Sequence, residues 1–477
     1  MQKILQGSLI YRLLATVWAW FGTQWRSSRV MGRFLSPGWG ERTSGSSALA
    51  RAILCSHRAL CVVFDRLRLS KLLHGSIFTK PFIWCFATLA LAPVLPTMVI
   101  LLFTLACVGS FVLALGCDRE HKPVCSPAGI YIGLYAFVYI AATFTSVTVS
   151  GSLLGGALTT LFVLFPIVLQ NSVTTRRQLD ALIYAFVIAG TFISAYGIYQ
   201  YFTGVAFASA WFDSTMFAGI STRVYSTLGN PNVLATYLLL VIPFAGACIF
   251  MVKRPILKLF FVGCLCVMLA CMALTFSRGG WLGLILAAAV FLVILDRRFI
   301  IVGIFGLVFL YFALPDVVVS RFTSIGDFSE SSTSYRVSIW LGTISMLRDF
   351  WFTGIGPGTE AFNRIYPLYS YSAAVAWHSH NLYLQIMCDA GIIGIVVFAI
   401  IIFTYFRNLC TSVSKEPDKS SKILQIAAIS SVSGFLVQGV GDYLFYNYRV
   451  TLVFWAVLGL GLLIARRGSL KGEVTVD

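Results

Sequence analysis

The stretch "PTMVILLFTLACVGSFVLALG", residues 96–116, runs for 21 residues without a charged side chain. At about 1.5 Å per helical residue it spans roughly 30 Å, the thickness of a bilayer's hydrocarbon core. Runs of similar length recur, and composition agrees. Of 477 residues, 58% are hydrophobic and 11% charged, against about 25% charged in a soluble domain. The reading is an all-α polytopic membrane protein.

Working outward gives about twelve transmembrane helices. They lie near 81–95, 96–116, 127–147, 150–170, 180–202, 229–251, 257–275, 279–295, 299–316, 380–405, 422–441 and 449–465. Pro93 and Pro96 separate the first two, so a single bent span is the alternative there. Residues 1–80 read as a basic cytoplasmic extension, with twelve Lys/Arg and only Glu41 and Asp65 as acids. Its short amphipathic pieces, 9–21 and 48–73, suit a membrane surface carrying anionic headgroups. No cleavable signal pattern is visible. Residues 81–465 form the polytopic domain and 466–477 a cytoplasmic tail. The twelve cysteines form no paired framework and no CxxC pattern, so they read as ordinary small apolar side chains.

A net charge of +17 raises the question of nucleic acid, but the placement of the charge argues against that partner. With the N-terminus in the cytoplasm, the inside loops hold Arg119/Lys122, Arg176/Arg177, Lys253/Arg254/Lys258, Arg297/Arg298 and Arg407/Lys415/Lys419/Lys422. The tail adds Arg466/Arg467/Lys471, so 28 of the 35 cationic residues lie inside, as membrane topology favours. The seven outside are Arg223, Arg278, Arg321, Arg336, Arg348, Arg364 and Arg449, while all ten lysines are inside. Arginine grips phosphate with a rigid fork of donors and keeps its charge.

The outer loop 315–379 is long, and loops beyond about 15 residues are usually functional or disordered. Ser332-Thr333-Ser334 offers a helix start, and Val337, Trp340, Leu341, Ile344 and Leu347 repeat at helical spacing. This predicts an amphipathic helix on the outer face, ended by the glycine-rich turn 354–358. Three stretches then meet at that face: "RVYSTLGNPN" with Arg223, "TFSRGGWLG" with Arg278, and "SYRVSIW" with Arg336. "AWHSHNLYLQ" adds His378 and His380, the only histidines outside.

Each has a plainer reading beside the functional one. Arg278 also fits a snorkelling cation at a hairpin turn, although Ser277 and Gly279 beside it allow close approach of a phosphate. Asn230 fits a helix cap, and Arg336 and Arg348 fit solvated charge. The histidine pair fits satisfied interfacial rings or an adventitious metal site. Its i, i+2 spacing at a helix start suits a metal poorly, and no carboxylate cluster joins it. Several arginines for an anion and a histidine for a proton are what glycan transfer from a lipid diphosphate requires. No divalent cation and no other cofactor is implied, since no Asp-x-Asp pair lies outside; "DFSE" (327–330) reads as solvated loop.

"STLGNPNVLATYLLL", "LTFSRGGWLG", "YRVSIWLGTISMLRDFWFTGIGPGTEAFNRIYP" and "HSHNLYLQIMCDAGIIG" resemble the O-antigen ligase/polymerase superfamily across about residues 80–465. The closest likeness is to the branch with cyanobacterial putative bicarbonate-transport proteins. The resemblance implies a C-type, metal-independent, inverting glycosyltransferase of the bacterial cytoplasmic membrane. Its donor would be an undecaprenyl-diphosphate glycan, and its acceptor a surface lipid, glycan or protein. It implies His380, with His378 beside it, as the catalytic histidine. It implies Arg223, Arg278 and, less closely aligned, Arg336 as diphosphate ligands. Asn381, Asn230, Ser277 and Gly279 would support them. Two departures stand out: Asp389 where the family often has Glu, and a basic extension typical of the bicarbonate-like branch. A solute or bicarbonate transporter is the competing class. It calls for ionisable groups near the bilayer midplane, and spans six to nine carry almost none.

Overall fold

The computed structural model describes residues 48–204 apart from 74, 121, 122 and 125, residues 223–296, and residues 331–466, with a few isolated positions besides. The expected ninth span, 299–316, and the first 47 residues of the basic extension lie outside the described residues. The described chain is helical, without strands. In order come α1 (Ala48–Arg66), α2 (Leu69–Leu73), α3 (Pro81–Leu91), α4 (Thr97–Cys117), α5 (Pro127–Phe144), α6 (Val149–Ser172), α7 (Arg176–Phe202) and α8 (Pro231–Met251). Then follow α9 (Pro255–Leu274), α10 (Arg278–Leu295), α11 (Ser331–Phe350), α12 (Thr359–Ile365), α13 (Leu382–Lys415), α14 (Lys419–Gly441) and α15 (Tyr448–Ala465).

Nine of these, α4, α6 to α10 and α13 to α15, are long and apolar enough to cross a bilayer. The shorter apolar helices α3 and α5 occupy two more of the expected spans, so the count of about twelve is not reached among the described residues. The run expected to reach residue 95 stops at Leu91, where Pro93 and Pro96 withhold donors and crowd the preceding turn. Helix starts follow the local chemistry. Proline opens α3, α5, α8 and α9. Ser277, Asn381, Asp418 and Asn447 cap α10, α13, α14 and α15 with side-chain oxygens.

The centre of the bundle is α8, α14 and α15, each about four-fifths buried. Helix α10 lies against α14 through facing glycines. A Cβ on Gly283 would sit 2.8 Å from the Gly434 oxygen, and one on Gly434 would sit 2.6 Å from the Gly283 oxygen. Gly280 likewise brings α10 onto α8, where an added Cβ would meet that of Ala235 at 2.7 Å. Small residues permit this approach of backbones inside a membrane bundle.

Helix α13 is broken once, at Ala390 and Gly391, the latter with φ +63°. The 351–355 segment closes over the break. Ile355 N–H donates to the Cys388 oxygen (2.6 Å) and Ile392 N–H to the Trp351 oxygen (2.8 Å). The glycine turn forms as expected, with Gly354, Gly356 and Gly358 all at positive φ. One expectation for α11 is corrected. Leu341 and Ile344 are exposed, and Ile339, Gly342, Thr343, Met346 and Leu347 face inward. Tyr366 and Tyr369 pack on Gly342, and this contact selects the face. Helix α1 docks on the end of α4, with the Phe64 ring over Gly116 and His57 Nε2–H donating to the Leu115 oxygen (3.0 Å).

Candidate active site

The starts of α8, α10, α13 and α15 and the ends of α9 and α14 lie together at one end of the bundle, and a cavity of about 70 Å³ opens there. Arg223, Asn232, Phe276, Ser277, Arg278 and Gly279 line it, with Arg336, Gln438, Gly441 and Asp442 opposite. The three arginines singled out from the sequence thus converge from three separate segments. Glycine contacts hold the first turn of α10, with Arg278, against α8 and the last turn of α14.

Arg223 is buried, at 3% exposed. Its Nε donates to the Thr275 oxygen (2.9 Å) and its guanidinium to Asn232 Oδ1 (3.1 Å). Asn232 Nδ2 donates in turn to Asp442 Oδ2 (3.2 Å). Asp442 Oδ1 accepts from Tyr443 N–H (2.9 Å) and pairs with His380 Nδ1 (3.3 Å). A continuous path therefore links Arg223 to His380. Burial pushes the Asp442 carboxyl up, but the His380 bond and then the Arg336 charge outweigh it and hold the group well below the ordinary carboxylate range. Asp442 is charged, and so fixes a proton on His380 Nδ1 and leaves Nε2 with its lone pair.

The two histidines differ. Their rings are 4.2 Å apart. His378 Nδ1 accepts the His380 backbone N–H at 3.2 Å, so its proton sits on Nε2. Burial, and then the neighbouring His380, push the His378 imidazole down to about 3. His380 is less buried and stands at φ +48°, the left-handed region that costs a non-glycine residue about 1–3 kcal/mol. Its carbonyl accepts from Trp340 Nε1 (3.2 Å), and the Tyr335 ring lies beside it; both belong to α11. Phe276, on the cavity wall, has φ +49°. One strained residue thus lines the cavity and the other, His380, pairs with the wall residue Asp442; such strain is a common mark of a functional site.

Of the expected supporting residues, Ser277 and Gly279 line the cavity. Asn381 caps α13 and donates to the Val440 oxygen (2.8 Å), which ties the histidine loop to α14. Asn230 caps α8 through Asn232 N–H and Val233 N–H. Arg449 instead reaches the carbonyl oxygens of Leu95 and Thr227 and braces the bundle. A single carboxylate that sequence reasoning did not place here, Asp442, stands beside the pair: His378, His380 and Asp442 bring three potential ligand atoms within 4.8 Å of one another. Asp442 and Asn232 are what sequence reasoning missed. The available signal was an acidic residue at the outer end of an apolar span, directly before the aromatic turn "YLFY".

No curated protein matches the chain. Residues 263–399 match the family model described as O-antigen ligase. That stretch runs from α9 into α13 and includes Arg278, Arg336, His378 and His380, while Arg223, Asn232 and Asp442 fall outside it. The chain is thus a multi-pass membrane protein whose residues 263–399 are similar to the O-antigen ligase family, in keeping with its resemblance to the O-antigen ligase/polymerase superfamily.

Proposed function

We propose that this chain transfers a glycan from a polyprenyl-diphosphate carrier to an acceptor hydroxyl at the outer face of the bacterial cytoplasmic membrane. The observation that supports this most is the convergence of Arg223, Arg278 and Arg336 on one cavity with Asp442, the partner of His380. The acceptor oxygen forms a bond to the anomeric carbon as the bond from that carbon to the diphosphate oxygen breaks. The electron pair leaves with the lipid diphosphate, and the acceptor's proton passes to Nε2 of His380. Attack opposite the leaving group inverts the anomeric centre. Asp442 holds the productive tautomer and favours the imidazolium that forms, the division of labour seen in Asp–His pairs elsewhere. The arginines stabilise charge as it develops on the leaving diphosphate.

The same arginines argue against a divalent ion at His378, His380 and Asp442, because like charge in a partly buried cavity is poorly screened. The reaction is therefore read as metal-independent. His378 serves as a neutral backstop whose Nδ1 orients the His380 backbone. The acceptor is a surface lipid, a glycan or a protein, and ligase and polymerase would differ only in that partner.

The test uses membranes of the source strain deleted for this gene, which hold the endogenous donor and acceptor. His380→Ala should cut transfer by roughly 100- to 10,000-fold, the usual worth of a general base, and Asp442→Asn should follow it in the same direction. Both should still bind undecaprenyl diphosphate, the probe for the arginine cavity. Full transfer by the His378→Ala/His380→Ala double variant would remove the base from this site.

A further inference from the structure

Asp389 is an acidic side chain that the chemistry above does not use. It is 3% exposed, on the last turn before the break in α13. A carboxyl so deep costs stability unless its oxygens are satisfied. Gln385 Nε2 donates to its Oδ1 at 2.9 Å, and Tyr139 of α5 donates to its Oδ2 at 3.5 Å. Tyr443 supplies a third hydrogen bond. These partners lead directly to the candidate site. Gln385 Oε1 accepts the backbone N–H of Ser379 (2.8 Å), the residue between the two histidines. Tyr443 donates its own N–H to Asp442 Oδ1 (2.9 Å) and lays its ring 5.4 Å from that of His378. One buried carboxyl thus grips both the loop bearing His380 and the turn bearing Asp442.

We propose that Asp389 is a positioning residue of this site: through Gln385 and Tyr443 it fixes the histidine loop and the Asp442 turn in one register, so that His380 Nδ1 meets its carboxylate. The inference rests on His380 acting as the base. The alternative is that Asp389 only staples α5 to α13. That role would be lost together with protein amount or with the shape of the arginine cavity.

The polarity of the Gln385–Asp389 bond separates the two. Gln385→Glu keeps the acceptor for Ser379 N–H but sets a carboxylate against Asp389. Asp389→Leu removes every acceptor and leaves three buried donors unpaired. Each should lower transfer at least about tenfold, the scale of a single unpaired buried group. Undecaprenyl diphosphate should still bind to both, and protein amounts in the membrane should match wild type. The Gln385→Glu/Asp389→Asn pair restores the bond with donor and acceptor exchanged, and should recover most of the loss seen in Gln385→Glu. Wild-type transfer by Gln385→Glu, or a double variant as poor as the single, would overturn the proposal. So would a loss that follows protein amount or probe binding. His380→Ala, run alongside, keeps the two readings apart. If it is active, the base assignment has failed. If it is inactive and the double variant is not rescued, only the role of Asp389 has failed.

Discussion

Arginine is used differently at the two ends of the bundle. At the end away from the cavity, Arg176 donates to Asp180 Oδ1 (2.9 Å), to Asp418 Oδ2 (3.2 Å) and to Ser421 (2.8 Å). Two carboxylates offset its charge, and its side chain keeps about a quarter of its surface. At the cavity end, Arg223 is nearly fully buried and its named partners, the Thr275 oxygen and Asn232 Oδ1, are neutral. Those bonds fix the guanidinium in one orientation. The first arrangement needs only a cation; the second needs a fork held in one orientation.

The contrast breaks outright if both ends face the same side of the membrane. In a cysteine-free background, Ser414→Cys, beside the cationic loop before α14, and Ser372→Cys, in the loop before the histidines, should label from opposite sides with an impermeant thiol reagent. The second should react from outside. Labelling of both from one side would undo the topology and the outer placement of the cavity.

The next largest effect concerns the two arginines themselves. Arg278→Lys should lose roughly 100- to 1000-fold in transfer rate, the scale for one lost donor at a preorganised anionic site, and should weaken undecaprenyl diphosphate binding. Arg176→Lys should leave transfer near wild type, since surface ion pairs contribute at most about 1 kcal/mol. Equal behaviour of the two lysine variants, at matched protein amounts, would reduce Arg278 to a topological anchor.

The smallest effect sharpens the difference within the cavity end. His378 titrates near 3 in the fold against 6.5 when exposed. The unfolded chain therefore binds a proton that the folded chain refuses over that interval, and stability is fully present above 6.5 and falls with pH toward 3. The depressed Asp442 carboxyl contributes stability that is lost only below its ordinary value of 3.8, so it is silent above that. Thermal unfolding of His378→Gln between about pH 7 and about pH 5 should therefore show a shallower decline than wild type. Identical slopes would mean that His378 is not held neutral.

The bundle was legible in the sequence because each span needs only its own apolar run, and the arginines and histidines because topology made them costly where they stand. What stayed hidden depends on contacts between distant segments. Asp442 lies 62 residues from His380, and its role exists only once α14 has packed on α10. The inward face of α11 was misread for the same reason: the tyrosines of 366–369, not the spacing of apolar residues, decide which side is covered. The helix break after Asp389 is closed by backbone bonds from residues 351 and 355, which no periodicity reveals.

The facing glycines of α10 and α14 place the calibration of this cavity in the greasy middle of the protein, where no reacting group is found. Gly283 lies about 7 Å along its helix from Arg278, and Gly434 about 12 Å from Asp442. A methyl on either would meet the Leu239 side chain and, behind it, the opposite backbone oxygen, which cannot turn aside. It would act as a shim, prying the Arg278 end of α10 away from the Asp442 end of α14. The width of the cavity is thus gauged by two hydrogen atoms embedded in oil.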